Sequence, residues 1–224
     1  MTYHLAGDST VADAKPGEYP MSGWGGELAA FVDAPVRNLA FGGATTESFL
    51  QTGTWDALVE QVHAGDVVVI QFGHNDQKDP GLLASRGGYT ERLRRMVTDA
   101  RARGAGAVLC TSAERRWFDG DRVAPSHGDY PNAVRDLAHE LDTPLIDLTV
   151  FTTWLYEDLG DEASRALLSH YAPGETEGWP EGLVDDTHFR VEGARRIAAF
   201  VARSLRAIER KDGDRPSRGS QLVS

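Results

Sequence analysis

The sequence predicts an α/β protein, a three-layer α/β/α sandwich built on about five parallel strands. Two observations favour this architecture. Short apolar runs alternate along the chain with segments whose apolar residues have helical spacing. Several of the runs, such as VVVI within residues 66–72, are continuously apolar and β-branched, which is typical of strands buried on both faces of a parallel sheet.

Five apolar runs are the predicted strands of this sheet. In chain order they are YHLAG, VRNLA, DVVVIQF, AGAVLCTS and PLIDL, at residues 3–7, 36–40, 66–72, 105–112 and 144–148. Because helical segments separate them, we expect right-handed crossovers between parallel neighbours. Such crossovers place helices on both faces of a single sheet.

Four segments have the apolar periodicity of amphipathic helices. They cover residues 23–32, 90–104, 127–141 and 191–208. The second ends at Gly104, a residue typical of a helix terminus. In the last, one stripe consists of Ile197, Phe200, Val201, Leu205 and Ile208.

Residues 1–210 are predicted to form a single domain, because they contain no internal repeat and no linker-like segment. Residues 211–224, KDGDRPSRGSQLVS, are polar and rich in Gly, Pro and Ser, so a disordered tail is predicted there. No apolar run approaches the roughly 18 residues of a membrane span. The first residues lack the features of a secretory signal, so we expect a cytoplasmic protein.

The net charge of −11 argues against nucleic acid or an anionic membrane as a partner, because both would repel an acidic surface. The seven histidines are scattered without the spacing of a zinc site. A phosphate-binding loop and a complete dinucleotide motif are both absent, so no metal or cofactor is predicted. The single cysteine, Cys110, lies in an apolar strand and is expected to be a buried thiol. The oligomeric state is left open.

Polar or glycine-rich segments follow the first three predicted strands, and a fourth precedes the last helix. They are GDST at residues 7–10, FGGATT at 41–46, GHND at 73–76 and DDTH at 185–188. Ligands bind at the carboxyl ends of the strands in such a sheet, so we expect these segments to converge. Each segment alone has an ordinary structural explanation as a helix cap or a turn. Their combination indicates a functional site.

Together the segments supply the groups that acyl transfer requires. Ser9 is the candidate nucleophile, His188 the general base and Asp185 the acid that orients the imidazole. The backbone N–H groups of Ser9 and Gly43 and the side-chain amide of Asn75 are candidate donors for an oxyanion hole. The chain has no Gly-x-Ser-x-Gly elbow, which excludes the usual α/β-hydrolase arrangement.

The four segments resemble the blocks that define the SGNH (GDSL-type) hydrolases, and the resemblance extends from Gly7 to about Ala198. Within that superfamily, GDST, FGHND and DDTHF look most similar to the rhamnogalacturonan acetylesterase group. The resemblance implies a flavodoxin-like fold, no cofactor and a Ser-His-Asp mechanism. It also implies removal of O-acetyl groups from pectin-derived oligosaccharides, and it selects Asp185 over Asp186 as the acid.

Four further residues are candidate contacts to such a sugar. Trp179 and Trp117 lie in loops and can stack on a sugar face, or else pack their own loops. Arg115, like its neighbour Arg116, can pair with a uronate carboxylate. His74 can border the cleft, although a structural role is the alternative.

Three other functions are compatible with the same residues. One is a short-chain carboxylesterase or lysophospholipase-like esterase, and another is an acyltransferase that passes the acetyl group to a second alcohol. The third is a carbohydrate-binding module that has lost the chemistry.

Overall fold

The computed structural model describes residues 1–213 and has a five-stranded parallel sheet at its centre. In chain order the strands are β1 (Tyr3–Gly7), β2 (Val36–Asn38), β3 (Val67–Gln71), β4 (Gly106–Cys110), β5 (Phe118–Asp119), β6 (Arg122–Val123), β7 (Leu145–Ile146), β8 (Leu168–Tyr171) and β9 (Leu183–Phe189). The central sheet has the order β2-β1-β3-β4-β7, and its neighbouring strands are parallel. Counted within the sheet this is the order 2-1-3-4-5 of flavodoxin-like folds.

The five strands of this sheet correspond to the five predicted strands. The two at its edges, β2 and β7, are shorter than predicted. Strand β7 stops at Ile146 because the next residue, Asp147, caps a helix by accepting a hydrogen bond of 3.1 Å from the Val150 N–H.

Helices cover both faces of the sheet. They are α1 (Trp24–Glu27), α2 (Thr46–Gln51), α3 (Thr54–Gln61), α4 (Thr90–Ala102), α5 (Tyr130–Glu140), α6 (Leu148–Ser164) and α7 (Val191–Gly213). Side chains from α1, α6 and α7 pack on one face, with Trp24, Tyr156 and Val201 fully buried. Side chains from α2, α3, α4 and α5 pack on the other, where Trp55 and Met96 are fully buried. The predicted three-layer sandwich is therefore confirmed.

Alternate residues of each strand pack against opposite layers of helices. Leu5 on β1 and Val69 on β3 are paired in register and face the layer of α1, α6 and α7. Their neighbours Ala6 and Ile70 are also paired and face the opposite layer. Because both faces are buried, these strands are mainly apolar, and their polar residues His4 and Gln71 are buried. Cys110 is buried as expected, and burial raises the pKa of its thiol.

One predicted helix is much shorter than expected, and three helices were not predicted. Helix α1 has four residues, followed by a 3₁₀ turn over Leu28–Ala30, whereas ten residues of helix were predicted. Helices α2 and α3 were not predicted, and neither was α6. The β-branched residues at the start of α6, in LTVFTT, favour a strand when propensity alone is considered.

Two antiparallel hairpins lie outside the central sheet. Strands β5 and β6 form one, and β8 and β9 form the other. The segment with Asp185 and His188, expected as a turn before the last helix, is part of β9. The sequence did not predict this hairpin, which positions half of the candidate site.

Helix α7 continues to Gly213, past the predicted end of the last helix at Ile208 and into the segment predicted as a tail. The rest of that segment, residues 214–224, lies outside the described residues, and the single domain over 1–210 stays a prediction. In the described part of the chain, no helix is both long and apolar enough to cross a membrane.

Candidate active site

The four polar segments converge at the carboxyl ends of β1 and β3, where the strand order of the sheet reverses. Ser9 lies just beyond β1 and Asn75 just beyond β3. They line one cleft of about 410 Å³ together with Gly43, Asp185 and His188. A larger hollow, of about 690 Å³, lies at the amino ends of β3 and β4 and contains none of these groups. The cleft thus occupies the place at which flavodoxin-like sheets bind ligands.

A chain of hydrogen bonds joins the predicted nucleophile, base and acid. Ser9 Oγ lies 3.0 Å from His188 Nε2, and His188 Nδ1 lies 2.7 Å from Asp185 Oδ2. The other carboxylate oxygen of Asp185 accepts the backbone N–H groups of Thr187, at 2.7 Å, and of His188, at 2.9 Å. The carboxylate is therefore fixed against the imidazole, and the imidazole can accept a proton from the serine hydroxyl.

Electrostatics keep the carboxyl group of Asp185 ionised. Partial burial by itself raises its pKa. The hydrogen bond and charge of His188 and the two backbone N–H donors together outweigh burial, and the pKa lies below its ordinary value. An ionised carboxylate can stabilise the imidazolium that forms when His188 takes a proton.

The neighbouring carboxylate, Asp186, points to other partners. Its Oδ1 accepts from Arg116 Nη1 at 2.6 Å and lies 2.9 Å from His170 Nε2. Arg116 is almost fully buried and also donates to Ser164 Oγ at 3.0 Å. These bonds attach β9 to the end of α6. The suggestion that Arg116 pairs with a substrate carboxylate is wrong, because its buried guanidinium donates its hydrogen bonds to other groups of the protein.

The candidate oxyanion donors lie on three different segments of the cleft. Within residues 1–213, the backbone N–H groups of Ser9 and Gly43 donate no hydrogen bond, so they are free for a ligand. Gly43 has φ of +78°, a conformation that favours glycine. Asn75 Nδ2 donates to the Ala44 carbonyl at 3.1 Å, and its second N–H has no acceptor among the described residues.

A buried aspartate holds the glycine and asparagine segments together. Asp76 accepts from the Thr46 N–H at 2.8 Å, from Thr46 Oγ1 at 2.6 Å and from the Gly73 N–H at 3.1 Å. Burial raises the pKa of Asp76 to about 6 despite these donors. The side chain fixes the start of α2 relative to the turn after β3, and so fixes Gly43 relative to Asn75.

A second buried aspartate shapes the turn that carries Ser9. Asp8 is fully buried and accepts from the Thr10 N–H at 3.0 Å and from Thr10 Oγ1 at 2.8 Å. Its other oxygen lies 3.4 Å from His74 Nδ1, longer than a good hydrogen bond, and neither atom has another partner among the described residues. Burial opposes ionisation of Asp8, but His74 and Thr10 outweigh it and lower its pKa.

Two of the predicted sugar contacts are corrected by the structure. His74 is 3% exposed and faces Asp8 and His127, so it lies beneath the cleft instead of bordering it. Arg115 is 8% exposed, and its guanidinium donates to the carbonyls of Ser126, at 3.2 Å, and His74, at 3.4 Å. Both side chains fill the interior, so neither is available to a uronate.

The two tryptophans differ in position. Trp179 lines the cleft and stacks on Tyr171, with ring centroids 5.2 Å apart. Trp117 is half exposed, lies under the guanidinium of Arg115 and does not line the cleft. The sequence analysis did not anticipate the two lysines that line the cleft, Lys15 and Lys78. Lys78 follows Asn75 by three residues in the turn after β3, and this spacing was the sequence signal that could have placed Lys78 beside Asn75.

Comparison with known proteins places the chain in a family. The GDSL-like lipase/acylhydrolase family matches residues 5–196, a range that contains all four polar segments. The chain belongs to this family. This GDSL-like hydrolase is therefore a carboxylic ester hydrolase, and the family predicted from its sequence segments is confirmed.

Individual relatives of this GDSL-like hydrolase cover most of its length. The rhamnogalacturonan acetylesterase RhgT of Bacillus subtilis is 43% identical over 208 residues, which span 91% of this chain and 89% of RhgT. Among solved structures, YxiM of Bacillus subtilis has a TM-score of 0.78 at 28% identity, covering 93% of this chain and 56% of YxiM. The acetylxylan esterase Axe2 of Geobacillus stearothermophilus has a TM-score of 0.58 at 16% identity, over 91% of this chain and 93% of Axe2, and shares the fold.

The described residues contain no group of three or more His, Cys, Asp or Glu side chains able to hold a metal ion.

Proposed function

We propose that this hydrolase removes O-acetyl groups from pectin-type oligosaccharides of the rhamnogalacturonan class, through an acetyl-serine intermediate. The observation that carries the proposal is the contact chain Ser9–His188–Asp185, at 3.0 and 2.7 Å, in an open cleft with two free backbone N–H groups. The name of its relative RhgT, at 43% identity, supports the substrate class.

The first half of the reaction forms the acetyl-enzyme. His188 Nε2 takes the hydroxyl proton as Ser9 Oγ attacks the acetyl carbonyl carbon, and Asp185 stabilises the imidazolium. The carbonyl oxygen becomes an oxyanion that accepts hydrogen bonds from the N–H groups of Ser9, Gly43 and Asn75. The bond between the carbonyl carbon and the sugar oxygen then breaks, and that oxygen leaves with the proton from His188.

The second half returns the enzyme to its starting state. His188 takes a proton from a water molecule as the water oxygen adds to the acetyl carbon. The same donors hold the second oxyanion, Ser9 Oγ leaves, and the proton returns to it from His188. Acetate is the product, and no electrons are exchanged with a cofactor.

The lining of the cleft favours a short acyl group on a polar alcohol. Polar and charged side chains outnumber its apolar ones, which are Ala12, Met21, Trp179 and Leu183. A lysophospholipase-like activity needs a continuous apolar channel for the acyl chain, and a mostly polar lining does not favour one. The intact hydrogen-bonded triad favours an enzyme over a carbohydrate-binding module.

A cation at the cleft can replace the arginines that were expected to hold a uronate. Lys15 Nζ would lie 3.5 Å from a Cβ placed on Gly42, and Ser9 Cβ would lie 3.9 Å from the same point. The Lys15 side chain is 59% exposed and its hydrogen-bonding partner is the exposed carboxylate of Glu18. Its ammonium group can therefore exchange that partner for a carboxylate on a sugar next to the acetylated one.

The proposal is tested by acetate release from acetylated rhamnogalacturonan oligosaccharides, acetylated xylo-oligosaccharides and p-nitrophenyl esters of increasing length. We expect activity on p-nitrophenyl acetate, a sharp loss at longer acyl chains, and the highest kcat/KM on the rhamnogalacturonan fragments. Ser9→Ala is expected to remain folded and to lose both ester cleavage and labelling by a fluorophosphonate. Unchanged hydrolysis by Ser9→Ala refutes the mechanism, and a preference for long acyl chains refutes the substrate class.

A further inference from the structure

The amide of Asn75 is held at both of its ends, and one of the two holding groups is a lysine. Asn75 Nδ2 donates to the Ala44 carbonyl at 3.1 Å, and Asn75 Oδ1 accepts from Lys78 Nζ at 2.8 Å. The two residues lie on one short turn, in which the Lys78 N–H also donates to the Asn75 carbonyl at 3.0 Å. Lys78 thus contacts a candidate oxyanion donor directly, and it also lines the cleft.

An asparagine amide can serve an oxyanion in only one of its two orientations. Its oxygen and nitrogen ends are nearly identical in size, so packing alone distinguishes them poorly. The Ala44 carbonyl accepts only and the Lys78 ammonium donates only, so both select the orientation with the NH₂ group on the side of Gly43 and Ala44. The reversed amide would turn a carbonyl oxygen toward the developing negative charge.

The charge of Lys78 is not neutralised by a carboxylate. Within residues 1–213 it forms no ion pair, whereas the other cleft lysine, Lys15, pairs with Glu18. Only three lysines occur among the 23 basic residues of the sequence, and two of them line this cleft. A cation hydrogen-bonded to an amide oxygen polarises the amide and strengthens its N–H groups as donors.

We infer that Lys78 is a positioning residue for the oxyanion hole, which holds the Asn75 amide in its productive orientation and polarises it. The inference rests on the proposed ester hydrolysis at Ser9, and it adds to it a residue that acts through the Asn75 amide. Because Lys78 acts through Asn75, its effect must vanish when the amide is absent.

A double-mutant cycle tests this dependence, with p-nitrophenyl acetate as a substrate too small to reach other parts of the cleft. Losing an oxyanion donor costs about 10²-fold or more in kcat, so we expect Lys78→Met to lower kcat by about tenfold with little change in KM. In the Asn75→Ala background, we expect the same substitution to change kcat by less than about twofold. An equal loss in both backgrounds overturns the inference, as does an unchanged kcat for Lys78→Met alone.

Two further variants distinguish the positioning of the Asn75 amide by Lys78 from general effects of charge or folding on kcat. Lys211→Met removes the same charge from an exposed site on α7 and is expected to leave kcat unchanged. Lys78→Arg keeps a cationic donor and is expected to stay within about threefold of the wild-type kcat. An arginine variant as slow as Lys78→Met refutes the assigned role. Activity retained by Ser9→Ala would instead refute the proposed function, so the two failures are distinguishable.

Discussion

The adjacent carboxylates of Asp185 and Asp186 have different partners, although both are on strand β9. Asp185 bonds the imidazole of His188 and two backbone N–H groups, while Asp186 bonds Arg116 and contacts His170. Side chains of neighbouring strand residues point in opposite directions, so one faces the cleft and the other the body of the protein. The face of β9 on which each aspartate lies therefore decides whether its carboxylate can contact His188.

Asparagine substitutions separate the two carboxylates. We expect Asp185→Asn to lower kcat by about 10³- to 10⁴-fold, because an amide stabilises neither the required imidazole tautomer nor the imidazolium. Asp186→Asn, the matched control, is expected to lower kcat by less than about tenfold, since Asp186 does not contact His188. Steady-state rates on p-nitrophenyl acetate measure both. Similar losses in the two variants would contradict the assignment of Asp185 as the acid.

The two loop tryptophans differ in their position relative to the cleft. Trp179 lines the cleft and Trp117 does not. We expect Trp179→Ala to raise KM for acetylated oligosaccharides by about tenfold, because stacking on a flat apolar ring stabilises a bound sugar. Its KM for p-nitrophenyl acetate should change little, and Trp117→Ala should alter neither value. An effect of equal size on the small ester would assign Trp179 a structural role only.

Helix α1 packs unusually close to the turn that follows β1. A Cβ on Gly25 would lie 2.4 Å from the Val11 carbonyl oxygen and 2.8 Å from Leu5 Cδ1. The missing side chain therefore allows the helix to contact the backbone of the segment that carries Ser9. At the element scale, this contact helps to set the position of the turn that carries Ser9.

Alanine at Gly25 is expected to lower the free energy of unfolding by about 1–3 kcal/mol, because backbone atoms must move to admit the new methyl group. Gly81→Ala is the matched control, since its Cβ would meet only Asp79 Oδ1 at 3.6 Å, an ordinary contact. Urea denaturation followed by circular dichroism measures both variants. Equal stability of Gly25→Ala and the wild-type protein would show that α1 can shift freely.

The elements differ in how far the sequence alone predicts them. Helices α4, α5 and α7 were predicted because each has a long apolar stripe, and the central strands because they are buried on both faces. Helix α6 was missed because its β-branched start favours a strand and because Asp147, which caps it, was assigned to the preceding strand. The β8–β9 hairpin was missed because β9 has polar residues on both sides, with Asp185, Asp186 and Thr187 in succession.

The candidate site likewise contains residues that the sequence placed correctly in the cleft and residues that it did not. Ser9, Gly43, Asn75, Asp185 and His188 were predicted as candidates because chemistry restricts the residue types that can fill those roles, and the structure brings them into one cleft. Arg115 and His74 were misassigned because charge after a strand predicts exposure. Here carbonyls accept hydrogen bonds from the buried Arg115, and the Asp8 carboxylate lies 3.4 Å from the buried His74. Residues that are distant in the sequence bury these side chains, so local sequence patterns do not predict their burial.

Across the whole molecule, the net charge of −11 includes carboxylates that the fold stabilises in their ionised form. Burial raises the pKa of most of them, but hydrogen bonds and nearby cations outweigh it. Aspartates whose pKa is lowered in this way are Asp8, Asp66, Asp129, Asp147 and Asp185. Asp76 is the opposite case, with a pKa raised to about 6 by burial.

These shifts predict how the stability of the protein depends on pH. A carboxyl group with a lowered pKa contributes stability that is present above the ordinary value of 3.8 and is lost as the pH falls through its folded-state value. Asp76 acts in reverse, since its cost is relieved as the pH falls from about 6 towards 3.8. We expect a stability maximum near pH 5 and a steep loss below about pH 4. Urea midpoints between pH 8 and 3 measure this, and a constant midpoint would contradict it.

The groups at the two ends of the Ser9–His188 contact lie 179 positions apart along the chain, although their atoms are 3.0 Å apart. At a translation rate of about 5–20 residues per second, on the order of ten to forty seconds separate their synthesis on the ribosome. During that interval the emerging polypeptide has a hydroxyl group without its proton acceptor. Hydrolysis that depends on this contact can therefore begin only once β9 has left the exit tunnel and packed against the segment that carries Ser9.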